Sequence, residues 1–114
     1  MPNIRIQRME KELLKLISNT LHYKLRDNRL HFVTITAVTL SNDMSYTKIY
    51  FTNINKINHS KMEKILTKSS GFIKKEIAAS KMLRIIPELH FIYDSTEENA
   101  HHLDDIFQKI HSEQ

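Results

Sequence analysis

Between Ile4 and Leu25 the apolar positions recur every three or four residues, and Ile6, Met9, Leu13, Leu16, Ile17 and Leu21 fall on one stripe. That period predicts an amphipathic helix. Arg8, Lys11 and Lys15 share another of its faces, and Glu12 stands four residues after Arg8, where it can pair with it. Asp27-Asn28-Arg29 ends the helix with turn-forming residues. The period then shortens to two. Phe32 to Leu40 is β-branched and aliphatic, but its apolar phase slips: Val33 and Ile35 are odd, Val38 and Leu40 even. The slip predicts burial on both faces or a β-bulge. After the turn Ser41-Asn42-Asp43-Met44, the stretch Ser45 to Thr52 alternates, with Thr47, Ile49 and Phe51 on one face and Tyr46, Lys48 and Tyr50 on the other. Two strands this close form an antiparallel hairpin.

Asn53 to Asn58 is a polar loop. Helical spacing returns from His59 to Leu83 through Met62, Ile65, Leu66, Phe72, Ile73 and Ile77, until Ile86-Pro87 stops it. Gly71, the only glycine of the chain, sits inside this run behind Ser69-Ser70. A glycine in a helix interior costs about 1 kcal/mol relative to alanine. Its presence predicts a break into two helices, or a close approach of a partner. Leu89 to Tyr93 is a third strand. Ser95 and Glu98 then make a capping box for a last amphipathic helix with Leu103, Ile106, Phe107 and Ile110. The order predicts an α+β two-layer sandwich, a three-stranded sheet with helices on one face.

Composition narrows the function. The 114 residues suit one domain, 1–114, with residues 96–114 as an acidic C-terminal helix or tail. There is no cysteine, which removes thiol catalysis, disulfides and cysteine-ligated zinc. The first residues lack a signal-peptide core and no apolar run is long enough to span a membrane, so the expectation is a soluble cytoplasmic protein. Residues 1–87 carry 16 Lys/Arg against 6 Asp/Glu, whereas residues 88–114 carry 1 against 7. A basic body of this kind attracts polyphosphate by Coulomb attraction and counterion release.

The candidate site is therefore a nucleic-acid surface that joins Arg8, Lys11 and Lys15 to the Gly71 region, with Lys68, Ser69, Ser70, Lys74, Lys75, Lys81 and Arg84. On a continuous helix Lys74, Lys75, Ala78 and Lys81 share a face, while Phe72, Ile73 and Ile77 point the other way. A helix starting near Gly71 offers free N–H groups and a positive dipole end to phosphate. Each lysine taken singly is better read as a solvated surface charge; the shared face is what singles out the set. Seven histidines raise a metal reading, with His101 and Asp105 one helical turn apart, but no third ligand stands at a fixed spacing. No nucleophile–base spacing or glycine-rich phosphate loop is present, so no catalytic or metal residue and no cofactor is expected. Tyr46 and Tyr50 suit either base stacking or packing under a helix.

Ser69-Ser70-Gly71-Phe72-Ile73-Lys74, the block from Lys81 to Ser95, the hairpin from Ser41 to Tyr50 and the first helix together resemble ribosome-binding factor A, from about Ile6 to Ile110. The resemblance implies a type II KH-like fold in which a helix–kink–helix with an Ala-x-Gly signature replaces the usual glycine loop. Ser69 stands where that signature has alanine, and Asn28 where the family has proline in the Asp-Pro-Arg turn. Serine keeps the kink and can add a hydrogen bond. The resemblance further implies a monomer that binds the free small ribosomal subunit and its rRNA, assists late rRNA maturation including 5′-end processing, and is not a nuclease. The alternatives are a general KH-type single-strand RNA binder and a metal-assisted RNA-processing enzyme.

Overall fold

The computed structural model describes residues 4–95, so the amphipathic segment expected after Ser95 lies outside the described residues. Helix α1 (Ile4–Asn19) is followed by one π-helical turn (Thr20–Lys24) and a 3-10 turn (Asn28–Phe32). Then come β1 (Val33–Leu40), β2 (Tyr46–Asn53), α2 (His59–Lys68), α3 (Ser70–Ser80) and β3 (Glu88–Tyr93). The sheet order is β1-β2-β3, antiparallel between β1 and β2 and parallel between β2 and β3.

The first helical stretch extends to Lys24, as its stripe requires, but changes pitch at Thr20. The Thr20 hydroxyl donates to the Leu16 carbonyl at 2.8 Å, a back-bond that loosens the following turn. The wider turn still buries Leu21 and lets His22 Nε2 donate to the Val33 carbonyl at 2.6 Å, which pins it to β1. Asp27 caps the 3-10 turn, accepting from the Arg29 N–H at 3.0 Å and from the Arg29 guanidinium at 2.6–3.2 Å. This turn absorbs Phe32, so β1 begins one residue later than its β-branched run suggests.

The slip of phase in β1 is a bulge. Pairing with β2 shifts between Ile35 and Ala37, which leaves Thr36 as the extra residue. Val33, Ile35, Val38 and Leu40 all become buried on one face, while Thr34, Thr36 and Thr39 stay exposed. The bulge thus moves an odd apolar set and an even one onto the same side. Thr47, Ile49 and Phe51 of β2 and Leu89 and Phe91 of β3 continue that face. They meet Leu13, Ile17 and Leu21 from the first helical stretch, Met62 and Leu66 from α2, and Ile73 and Ile77 from α3. Burying an aliphatic or aromatic side chain of this size contributes about 1.5–3 kcal/mol. On the open edge of β1, the Leu40 N–H donates to Glu10 Oε2 at 2.8 Å, so a carboxylate from α1 closes a donor that could template another strand.

The second helical run differs from the sequence expectation in two places. The break between α2 and α3 falls at Ser69 (φ −85°, ψ −4°), two residues before Gly71, which lies in the first turn of α3. The second helix also stops at Ser80, not near Leu83: Lys81 adopts φ 58°, ψ 19°, and its N–H bonds the Ala78 carbonyl. A left-handed residue closes the helix there, a place that glycine fills more often. Lys81 therefore does not continue a helical face with Lys74 and Lys75. Phe72, expected to point inward, is 39% exposed.

A left-handed non-glycine residue costs roughly 1–2 kcal/mol, so Lys81→Gly should raise stability by about 1 kcal/mol after the extra chain entropy of glycine is subtracted. Denaturant unfolding measures it, and an unchanged midpoint would show that the Lys81 side chain makes up the difference.

The hairpin turn supplies a pH-dependent element. Asp43 accepts from the hydroxyls of Ser45 and Ser41, each at 2.7 Å, and from the Ser45 N–H at 3.1 Å. These donors, Ser45 foremost, favour the carboxylate and lower its pKa from 3.8 to about 2. The unfolded chain therefore takes up this proton at higher pH than the folded one. The stabilisation is complete above the unfolded value and is lost as pH falls from 3.8 towards 2. Asp43→Asn should flatten that part of the acid-unfolding profile, and wild-type and variant profiles of the same shape would contradict it.

Candidate nucleic-acid interface

Helix α1 lies over β1, α2 lies over β3, and α3 contacts both α1 and α2. This placement decides which cations can act together. Arg8, Lys11 and Lys15 are exposed along the outer ridge of α1, but the ridge has two flanks. Lys11 borders a hollow against the β1 edge with Gln7, Glu10, Leu14, Ala37 and Val38. Lys15 borders the groove between α1 and α3. That groove, of about 470 Å³, is lined further by Leu16, Asn19 and Lys24 on one side and Glu76, Ala79 and Ser80 on the other. Its charge is mixed: Lys24 Nζ pairs with Glu76 Oε1, which clamps the π-turn to α3, and Glu12 stands beside Lys15.

The remaining cations differ in how committed they are. Lys74 is half-buried and pairs with Glu88 at 3.4 Å, at the start of β3. Such partly exposed pairs contribute about 0–1 kcal/mol, so an incoming phosphate can displace this one at small cost. Lys68, Lys75, Lys81 and Arg84 are exposed and make no ion pair among the described residues. Lys68 lies on the outward surface of α2 with Ser60, Glu63, Lys64 and Thr67. Arg84 lies at the N-terminal end of α1, in a hollow of about 120 Å³ with Arg5, Met9, Asp43, Met44 and Met82. The candidate residues thus form a discontinuous surface on the helical layer, running from the end of α2 over α3 to α1.

The break itself is built by serine chemistry. The Ser69 N–H bonds the Leu66 carbonyl at 2.9 Å, the Ser69 hydroxyl donates to the Ile65 carbonyl at 3.3 Å, and the Ser69 carbonyl accepts from the Ile73 N–H at 3.1 Å. So the serine in place of alanine adds the hydrogen bond expected of it. Ser69 caps α3 through its carbonyl without a side-chain bond to the helix N–H groups. No side chain caps that end of α3, and the dipole of a helix N-terminus favours an anionic acceptor. The Ser70 hydroxyl is buried and unpartnered among the described residues, so it points away from that surface. Gly71 is exposed and helical, and a Cβ built on it meets nothing within 4 Å. The fold itself does not require glycine here. What the missing side chain leaves is bare backbone beside an uncapped helix start.

Sequence reasoning missed the Lys24–Glu76 and Lys74–Glu88 pairs, because partners this far apart in the chain carry no local spacing signal. It also left open the role of Tyr46, which is exposed and stacks on His90 with ring centroids 4.2 Å apart, on the sheet face away from the helices.

A family model described as ribosome-binding factor A matches residues 5–107. The chain belongs to the ribosome-binding factor A family. A ribosome-binding factor A from Staphylococcus epidermidis is 38% identical, with 97% of each chain covered. One from Francisella philomiragia is 44% identical over 81% of this chain and 64% of its own, so the chain spans a little under two thirds of that relative's length. The crystal structure of ribosome-binding factor A from Thermus thermophilus superposes with a TM-score of 0.70 at 23% identity, covering 77% of this chain and 94% of that one. The Thermus factor fitted into an electron cryo-microscopy map of its complex with the 30S subunit gives 0.64 at 23% identity, covering 77% and 93%. The fold is therefore the KH-like α-β-β-α-α-β arrangement of ribosome-binding factor A, with Ser69-Ser70-Gly71 at the helix–break–helix.

Because the space around Gly71 is open, Gly71→Ala should fold with unchanged or higher stability, by up to about 1 kcal/mol from helix propensity. Gly71→Val should fold as well, yet bind rRNA more weakly by blocking backbone approach. Thermal unfolding and rRNA titration of both variants test this. Unfolding by Gly71→Ala would contradict the open geometry, and full affinity in Gly71→Val would remove Gly71 from the interface.

Proposed function

We propose that this chain binds the free small ribosomal subunit through its rRNA and assists late rRNA maturation, including 5′-end processing, by binding rather than by catalysis. The observation that carries the reading is family membership over residues 5–107, together with the described complex of the Thermus relative with the 30S subunit. The exposed cations from α2 across α3 to α1 support it, since phosphate contacts supply most of the affinity of such surfaces and fix register without reading sequence. The protein would act as a cytoplasmic monomer that holds an rRNA conformation by shape and charge. No described helix is long and apolar enough to cross a membrane.

A wide surface separates this reading from a general single-strand RNA binder, which needs only a groove and stacking platforms. The metal-assisted alternative would rest on His101 and Asp105, which lie outside the described residues; metal-dependent cleavage of RNA by the purified protein would favour it.

Co-sedimentation should find the protein with free small subunits and not with large subunits. Arg8→Glu with Lys15→Glu should abolish most of that association while sparing affinity for short single-stranded RNA. In cells lacking the native gene, the double variant should accumulate unprocessed small-subunit rRNA. Parallel loss of both affinities, or normal precursor levels, would refute the assembly role.

Log affinity should fall linearly with log salt, and Lys75→Ala should flatten the slope by about one unit at most. Lys74→Ala should flatten it less, because Glu88 already neutralises part of that charge. A slope unaffected by either variant would place the RNA elsewhere.

A further inference from the structure

The sheet has a second face, and the described helices all lie on the first. By strand register, Ala37, Tyr50 and Ile92 form one row across the second face, Thr39, Lys48 and His90 the next, and Tyr46 and Glu88 the one beyond. Ala37, Tyr50 and Ile92 are half-buried although no described helix covers them. With Tyr93, Asp94 and Ser95 they line a hollow of about 420 Å³. The last described residues therefore form part of the wall of a hollow in the sheet whose floor is Ala37, Tyr50 and Ile92.

The chain is also held where it leaves β3. The Asp94 N–H donates to the Phe51 carbonyl at 2.7 Å, and the hydroxyl of the bulge residue Thr36 donates to Asp94 Oδ2 at 2.5 Å. Because Thr36 belongs to β1, this second bond crosses β2 on the second face. The described chain therefore ends at the wall of the hollow.

We propose that residues 96–114 of this chain pack on the second face of the sheet, with Leu103, Ile106, Phe107 and Ile110 against the rows of Ile92, His90 and Tyr46. Length supports it: a helix rises about 1.5 Å per residue and a strand about 3.3 Å, so roughly fifteen helical residues run the length of β3 back from Ser95. Pattern supports it, since those four apolar residues share one helical stripe, the single-sided burial a sheet face offers. The segment is acidic, with Glu97, Glu98, Asp104 and Asp105 against Lys109, while the face carries Lys48 and His90 together with the carboxylates of Glu88 and Asp94, so the apolar stripe and not charge holds the segment there. One consequence is that the acidic segment sits on the side of the sheet opposite the basic helices, where it does not compete with RNA. The proposal stands independently of the ribosomal reading.

The absence of native cysteine allows a single nitroxide to be placed in the full-length chain at Gln108→Cys, on the side of the segment away from its apolar stripe. Paramagnetic broadening should remove most of the amide signal of Lys48, Tyr50, His90 and Ile92 and leave α1 and α3 sharp. Adding Leu103→Asp and Phe107→Asp to the labelled chain should restore those signals while the shifts of the remaining fold persist. Broadening centred on α1 or α3, weak broadening spread over the whole chain, or broadening that survives the double aspartate variant would each overturn the proposal. So would transfer of the same pattern from labelled to unlabelled copies in a mixture, which would make the face an interface between chains.

Discussion

Parallel pairing of β3 with β2 is the constraint from which the helical layer follows. An antiparallel neighbour can be reached through a tight turn, as β1 and β2 show, but a parallel one needs a crossover that returns the chain to the starting end. Residues 54–87 are that crossover. They must cover the inner face of the sheet on the way and deliver Glu88 beside Tyr46. One long helix would overshoot, so the crossover is folded into α2, a break at Ser69, α3 and a left-handed stop at Lys81. Each device bears on the surface. The break leaves a helix start without a side-chain cap, and the stop turns the chain towards Arg84 and the N-terminal end of α1.

The same packing limits the charge available for binding. A strongly basic body need not give a strongly basic groove, because α3 is clamped through Glu76 to Lys24 and through Lys74 to Glu88. These pairs bridge α3 to the π-helical turn and to the start of β3. Among the described residues, the cations without an ion pair include those on the exposed ridge, at Arg8, Lys11 and Lys15, and around the ends of the helices. A surface with free charges spread along edges suits a wide, folded polyanion better than a short strand in a cleft.

Two local choices carry the sheet. The bulge at Thr36 places two out-of-phase apolar sets on one face, and its hydroxyl then holds Asp94 at the far strand. Glu10 closes the open edge of β1. Both devices use residues that alternation alone marks as unremarkable surface positions.

The element order as far as β3, the hairpin, the phase slip in β1, the amphipathic first helix and the interruption near Gly71 were all legible in the sequence, because each is written in spacing between near neighbours. The resemblance in Ser69 to Lys74 and Lys81 to Ser95 likewise pointed to the family that the comparisons show. The position of the break was not legible. Glycine advertises conformational freedom, yet Gly71 is an ordinary helical residue, and Ser69 makes the break through hydrogen bonds to Ile65 and Leu66 that depend on the helix already formed before it. The early end of α3 was hidden for a similar reason, since a lysine is a poor signal for a left-handed residue and tertiary packing imposes it there. Which cations stand free and which are paired was also decided only by the fold: Glu76 and Glu88 reach their lysines when α3 is laid between α1 and β3, and Coulomb attraction acts through space while sequence patterns act along the chain.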